Sequence, residues 1–180
     1  MKKIVVIFPG AGYSLDCPLL YYADFLFETA GYERICMNYE VFLRNNELPF
    51  DEKIKQMREY EIGKVQNVDF SCYDKIVFVS KSVGTVEAGW LAEYLGINVQ
   101  QIFLTPIKEA IDYCVRDCKI VIGTKDAAFS VYKDYCEHKL IKTLYIEGAN
   151  HSLEIEGKPY ESIDALKRVM RFMMDGCENV

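Results

Sequence analysis

A chain of 180 residues, 51% hydrophobic and 27% charged, has enough apolar side chains to offset the entropy of ordering, which excludes a disordered segment. With 21 Lys and Arg against 27 Asp and Glu, the net charge is −6 and no long basic run occurs, which argues against nucleic acid as a partner. No stretch approaches the roughly 20 apolar residues of a membrane span, and the apolar run Ile4 to Phe8, stopped by Pro9, is too short for the core of a signal peptide, so a soluble protein is expected.

In chain order, the first strand is Lys3 to Phe8, followed by a helix from Pro18 to Ala30 closed by Gly31. A strand at Arg34 to Tyr39 leads into Val41 to Phe50, which reads as a loop because it holds Arg44-Asn45-Asn46 and Pro49. The next helix spans Asp51 to about Val68, with Gly63 in its middle. Strand Lys75 to Ser80 then feeds a helix from Val83 to Leu95 closed by Gly96. Strand Gln101 to Leu104, a shorter helix within Lys108 to Val115, strand Lys119 to Ile122 and a helix from Ser130 to Leu140 follow. A weaker strand, Lys142 to Ile146, and a helix from Ser162 to Met174 closed by Gly176 complete the chain.

Ile4-Val5-Val6-Ile7-Phe8 and Ile76-Val77-Phe78-Val79 are continuously apolar rather than alternating, the pattern of strands covered on both faces. Strand and helix alternate throughout. The expected fold is therefore a three-layer α/β/α sandwich with a mostly or wholly parallel sheet of about six strands, in one domain over residues 1–180. The seven cysteines form no CxxC pair and no disulfide-scaffold spacing, which fits a reducing cytoplasm. Cys114 and Cys118 share a helix face but have no His beside them, so they read as buried free thiols and no metal is expected.

In open α/β sheets the active site lies outside the carboxyl ends of the strands. After the third strand stands Ser80-Lys81-Ser82-Val83-Gly84, a serine between small residues on a strand-turn-helix, which is what a nucleophile elbow requires sterically. Ser82 also suits a helix N-cap, the alternative reading. Of the two histidines, His138 lies among polar residues on a helix, whereas His151 occupies a Gly-containing loop after the last strand. Asp126, after strand Lys119 to Ile122, is the orienting acid, ahead of Glu147; an Asx-turn is its alternative use. The chain order Ser82, Asp126, His151 is that of α/β-hydrolases and of neither protease order. Val83 and either Ala11 or Gly12, in the turn Gly10-Ala11-Gly12-Tyr13, offer backbone N–H groups for an oxyanion hole. Gly10-x-Gly12 is not completed by a third glycine, since Leu15 stands there, which argues against a dinucleotide site.

With these residues the sequence resembles a small α/β-hydrolase-fold serine hydrolase, in particular the compact, capless, esterase-like members whose elbow carries a Lys before the serine. The resemblance implies Ser82 as nucleophile, His151 as general base, Asp126 as its orienting acid, and N–H groups at Ala11 and Val83 as oxyanion donors. Two positions depart from the family pattern: Ser80 replaces the first elbow glycine, and Pro9 stands where many relatives have His. Against the family, the chain begins at what would be the third strand, without the N-terminal hairpin, and leaves no room for a cap domain. Gly12, Tyr13, Tyr39, Phe42 and Phe129 follow strand ends and are candidates for the substrate pocket. Lys81 reads as a solvent-facing residue of the tight turn, with attraction of an anionic substrate as the alternative. The expected function is cleavage of an ester or related acyl bond in a small-molecule substrate, without metal or organic cofactor. A binding protein on the same fold, or a thioesterase or acyltransferase using the same triad, remains the alternative.

Overall fold

A strand apolar at every position must be covered on both faces, and β1 (Lys3–Phe8) is: Ile4, Val6 and Phe8 pack into one layer of helices, Val5 and Ile7 into the other. The same alternation runs through β3 (Lys75–Lys81), where Phe78 faces one side and Val77 and Val79 the other. The computed structural model describes residues 1–44, 47–114 and 117–175. Asn45, Asn46, Val115, the expected helix stop Gly176 and Cys177 lie outside the described residues.

With β2 (Glu33–Cys36), β4 (Gln100–Leu104), β5 (Lys119–Gly123) and β6 (Lys142–Ile146), these strands form a six-stranded, wholly parallel sheet in the order β2-β1-β3-β4-β5-β6. One face is covered by α1 (Pro18–Thr29) and α6 (Pro159–Met174), through Leu20, Ala23, Phe27, Val169 and Met173. The other is covered by α3 (Phe50–Val65), α4 (Gly84–Leu95) and α5 (Phe129–Lys139), through Met57, Leu91 and Tyr132. Each large apolar side chain buried in this way contributes roughly 1.5–3 kcal/mol. No helix among the described residues is long and apolar enough to cross a membrane.

Element boundaries differ from the sequence expectation at identifiable causes. The second strand stops at Cys36 rather than Tyr39, because Asn38 Oδ1 accepts from Glu40 N–H and turns the chain into a short helix, α2 (Glu40–Leu43), where a loop was expected. Gly63 does not interrupt α3, since it lies on the helix's exposed face. The segment expected as a shorter helix winds instead as 3-10 turns, Lys108–Tyr113.

The chain leaves β1 toward β2 on one side and leaves β3 toward β4 on the other. The crevice between the carboxyl ends of β1 and β3 is thus the topological switch point, where open α/β sheets place their ligands.

Candidate active site

Only Ser82 and Val83 separate β3 from α4, so the reversal is sharp. Ser82 takes a left-handed backbone conformation with φ +55°, which costs a residue with a Cβ on the order of 1–3 kcal/mol. Neighbours hold it there: Ser82 N–H donates to Leu104 O at 3.2 Å, and the Thr85 N–H and hydroxyl donate to Ser82 O at 2.9 and 2.6 Å. The Ser82 side chain does not cap α4, whose N-cap position is Val83. Gly84 is a steric requirement, since a Cβ there would lie 2.4 Å from Pro9 O and 2.7 Å from Phe8 O. Ser80 sits within β3, where its buried hydroxyl reaches Ile102 O at 3.4 Å, so a side chain is accommodated at that elbow position.

Two further loops are knitted together beside it. Lys125 N–H donates to Ala149 O at 2.9 Å, Gly148 N–H to Thr124 Oγ1 at 2.8 Å, and Thr124 N–H to Ile146 O at 3.0 Å. This stitching fixes the loop after β5 against the loop after β6 and sets Asp126 Oδ2 2.6 Å from His151 Nδ1. The other ring nitrogen, Nε2, lies 2.9 Å from Ser82 Oγ. Asp126 also accepts from Ala128 N–H at 2.9 Å through Oδ1, so its turn-forming use and its contact with the imidazole coexist. Burial pushes the Asp126 carboxyl up, but the bonds from His151 and Ala128, together with the nearby Lys81 ammonium, outweigh it and hold the carboxyl below its ordinary range. An ionised acceptor at Nδ1 favours the tautomer with the proton on Nδ1, which leaves Nε2 free to accept from the serine hydroxyl. Glu147 is exposed, and His138 lies exposed on α5 with Nδ1 2.9 Å from Asp134 O.

The turn after β1 is closed by paired bonds between Gly10 and Tyr13, with Gly12 at φ +69°. It presses on the elbow: a Cβ on Gly10 would stand 3.0 Å from Ser82 Cβ. Among the described residues the N–H groups of Ala11 and Val83 donate to no protein acceptor. Beside this turn opens a cavity of about 570 Å³ lined by Ala11, Gly12, Tyr13, Asn38, Tyr39 and Leu43, among others. A second, of about 640 Å³, lies between Tyr13, Leu19, Leu153 and α6.

The aromatic candidates separate. Tyr13 lines both cavities and accepts from Leu19 N–H at 3.1 Å, and burial pushes its hydroxyl up to about 12. Tyr39 lines the first cavity, but its hydroxyl is turned inward and donates to the buried Glu61. Phe129 lines neither cavity, contrary to expectation, because its ring packs edge to face on Tyr145, both half-buried against the core of the α5 layer. Phe42 packs against Tyr60, ring centres 5.5 Å apart and planes tilted by 54°. Cys114 and Cys118 are free and buried.

Lys81 corrects the sequence reading most sharply. It does not face solvent: only 1% of it is exposed. Its Nζ donates to His151 O at 2.9 Å and lies 5.0 Å from the centre of the Tyr13 ring. Burial pushes the amine down to about 8, opposed by the charges of Asp126 and Cys17. The signal was available, because Lys81 falls on the Val77, Val79 side of a strand whose apolar run already implied cover on both faces. A buried pair of acids had no such signal. Glu61 on α3 is fully buried and its Oε2 finds no partner among the described residues, while Glu87 on α4 pairs with Arg58 Nε at 3.0 Å.

Neither a protein-family model nor a curated protein matches this sequence. Solved structures do match. Dienelactone hydrolase from Anabaena variabilis is 19% identical with a TM-score of 0.68, over 97% of this chain and 86% of its own. Est1E from Butyrivibrio proteoclasticus is 11% identical with a TM-score of 0.68, over 98% and 88%. A protein of unknown function from Agrobacterium tumefaciens, itself proposed to be an α/β hydrolase, is 15% identical with a TM-score of 0.71, over 98% and 86%. Strand order, all-parallel pairing and near-complete coverage together give this chain the α/β-hydrolase fold.

Proposed function

We propose that this protein is a serine hydrolase that cleaves an ester or related acyl bond through an acyl-enzyme on Ser82. One observation carries the reading: the continuous chain Asp126 Oδ2, His151 Nδ1, His151 Nε2, Ser82 Oγ, with steps of 2.6 and 2.9 Å, at the switch point of the sheet. Fold-level likeness supports it, since the similar structures include a dienelactone hydrolase and a protein solved with ferulic acid bound.

In this reading Ser82 Oγ attacks the acyl carbon while its proton passes to His151 Nε2, and Asp126 stabilises the imidazolium that results. The negative charge on the tetrahedral oxygen is met by the N–H groups of Ala11 and Val83, which have no competing acceptor. Collapse expels the alcohol, which takes the proton from His151. Water, activated by the same imidazole, then releases the acid and restores the serine. Gly12, Tyr13 and Tyr39 form the wall that receives a small acyl substrate. The exposed imidazole, with 45% of its side chain accessible, leaves the site open to substrates of varied shape.

A fluorophosphonate probe tests this directly. Wild type is expected to label once per chain, and Ser82→Ala to lose all labelling while keeping its melting temperature. A folded wild type that resists probes of several sizes across pH 6 to 9 would sink the proposal.

A further inference from the structure

The mechanism above leaves the buried ammonium of Lys81 unused. An ammonium taken out of water costs several kcal/mol unless paired, and among the described residues Lys81 has no carboxylate within ion-pair distance. What it has are partners from the other loops of the site. Nζ donates to the backbone carbonyl of His151, 70 residues further along the chain. The same Nζ rests over the ring of Tyr13, the last residue of the turn that presents Ala11. Its own backbone is the last residue of β3, adjacent to Ser82.

We propose that Lys81 is a positioning residue: by donating to the His151 carbonyl while resting on Tyr13, it ties the base-bearing loop to the nucleophile strand and the oxyanion turn, keeping His151 Nε2 in line with Ser82 Oγ. The inference rests on the serine-hydrolase reading of this site, and it gives the lysine a role in geometry rather than in substrate attraction. The His151 loop needs such a tether. Its imidazole is half exposed and its Nδ1 contact is to the loop after β5 rather than to β3, while the backbone stitching described above reaches only as far as Ala149 and Gly148. Asn150 closes the loop on itself through Ser152 and Glu154 N–H, without linking it to β3. Lys81 supplies that link from below, and a charged donor makes the bond roughly twice as strong as a neutral one. The titratable groups around Nζ are Asp126 on the loop after β5, His151, Tyr13 on the turn, and Cys17 at the start of α1. The carboxylate and the ring face favour the charged amine, and burial opposes it.

The test compares wild type with Lys81→Met, an unbranched chain of similar volume that removes the donor, and with Lys81→Gln, which restores a neutral donor. Lys81→Met is expected to lower the second-order rate of fluorophosphonate labelling on the order of 10²-fold. Its kcat for a p-nitrophenyl ester falls in parallel while KM changes little. Its melting temperature stays the same or rises, because a buried charge has been removed; a merely structural lysine would lower stability and rate together. Lys81→Gln recovers part of the rate. The ratio of wild-type to Lys81→Met rates shrinks as pH rises through about 8, where the amine gives up its proton. Independently of turnover, the downfield proton NMR signal of the His151 Nδ1–H is expected to broaden in Lys81→Met while the His138 ring signals stay fixed. Wild-type labelling rates in Lys81→Met at every pH, or an unaltered His151 signal, would overturn the proposal. A folded wild type that no probe labels overturns the hydrolase reading instead, and the NMR comparison still decides the tether.

Discussion

Asp126 and Glu61 are both carboxylic acids with little exposure, and both accept a hydrogen bond from a ring-bearing side chain, yet their environments drive them in opposite directions. Asp126 receives a second bond from Ala128 N–H and feels the Lys81 ammonium, so it is held in the charged form despite burial. Glu61 is pushed up to about 8 by burial, against the Tyr39 hydroxyl and the Arg58 guanidinium and with Glu87 adding repulsion. Its second oxygen has no partner among the described residues. The contrast teaches that burial alone does not decide charge. What decides it is whether each oxygen is given a donor and whether the nearest formal charge is a cation or another acid.

The comparison can be broken most severely at Asp126. Asp126→Asn keeps the shape but offers no fixed negative acceptor to His151, and labelling of Ser82 is expected to fall on the order of 10⁴-fold with the fold intact, measured by probe kinetics and circular dichroism. A loss under tenfold would show that the carboxylate is dispensable. Glu61→Gln sharpens the other side. A folded-state value raised from 4.5 to about 8 means that the wild type's contribution from this group is full below about pH 4.5. It declines as the unfolded carboxyl ionises, and is lost once pH passes about 8. Glu61→Gln should therefore melt with wild type near pH 5 and be more stable, by up to a few kcal/mol, at pH 8 to 9. A pH-independent difference in urea midpoints would contradict this. The smallest effect is expected from Tyr39→Phe, which removes the donor to Glu61 and costs about 1 kcal/mol in denaturant unfolding at neutral pH. Labelling of Ser82 should survive that change nearly unaltered, because the hydroxyl points away from the cavity.

The catalytic candidates were readable because parallel strands force their carboxyl-end loops to one edge, so short motifs after β3, β5 and β6 acquire neighbours without any knowledge of distance. That edge is where His151 comes within hydrogen-bond range of both Ser82 and Asp126, the final distances being set by the bonds between the loops. Phe129 was misplaced because a strand-end position says where a backbone lies and not which way its ring turns, and Tyr145 captured it. Lys81 was misread by weighing its charge over its register in an apolar strand. Glu61 had no local signal at all: its burial depends on Tyr39, 22 residues earlier, and on Glu87 from a helix packed against its own.

The separation of 69 positions along the chain from Ser82 to His151 also orders events in time. During synthesis Ser82 and its strained turn emerge long before His151, and Asp126 emerges between them. No fragment that stops short of β6 contains His151, and pairing of non-local parallel strands is among the slower steps of folding. On the serine-hydrolase reading, recovery of probe reactivity after dilution from denaturant serves as a clock for the docking of the last strand, reporting native assembly where far-ultraviolet signals register secondary structure.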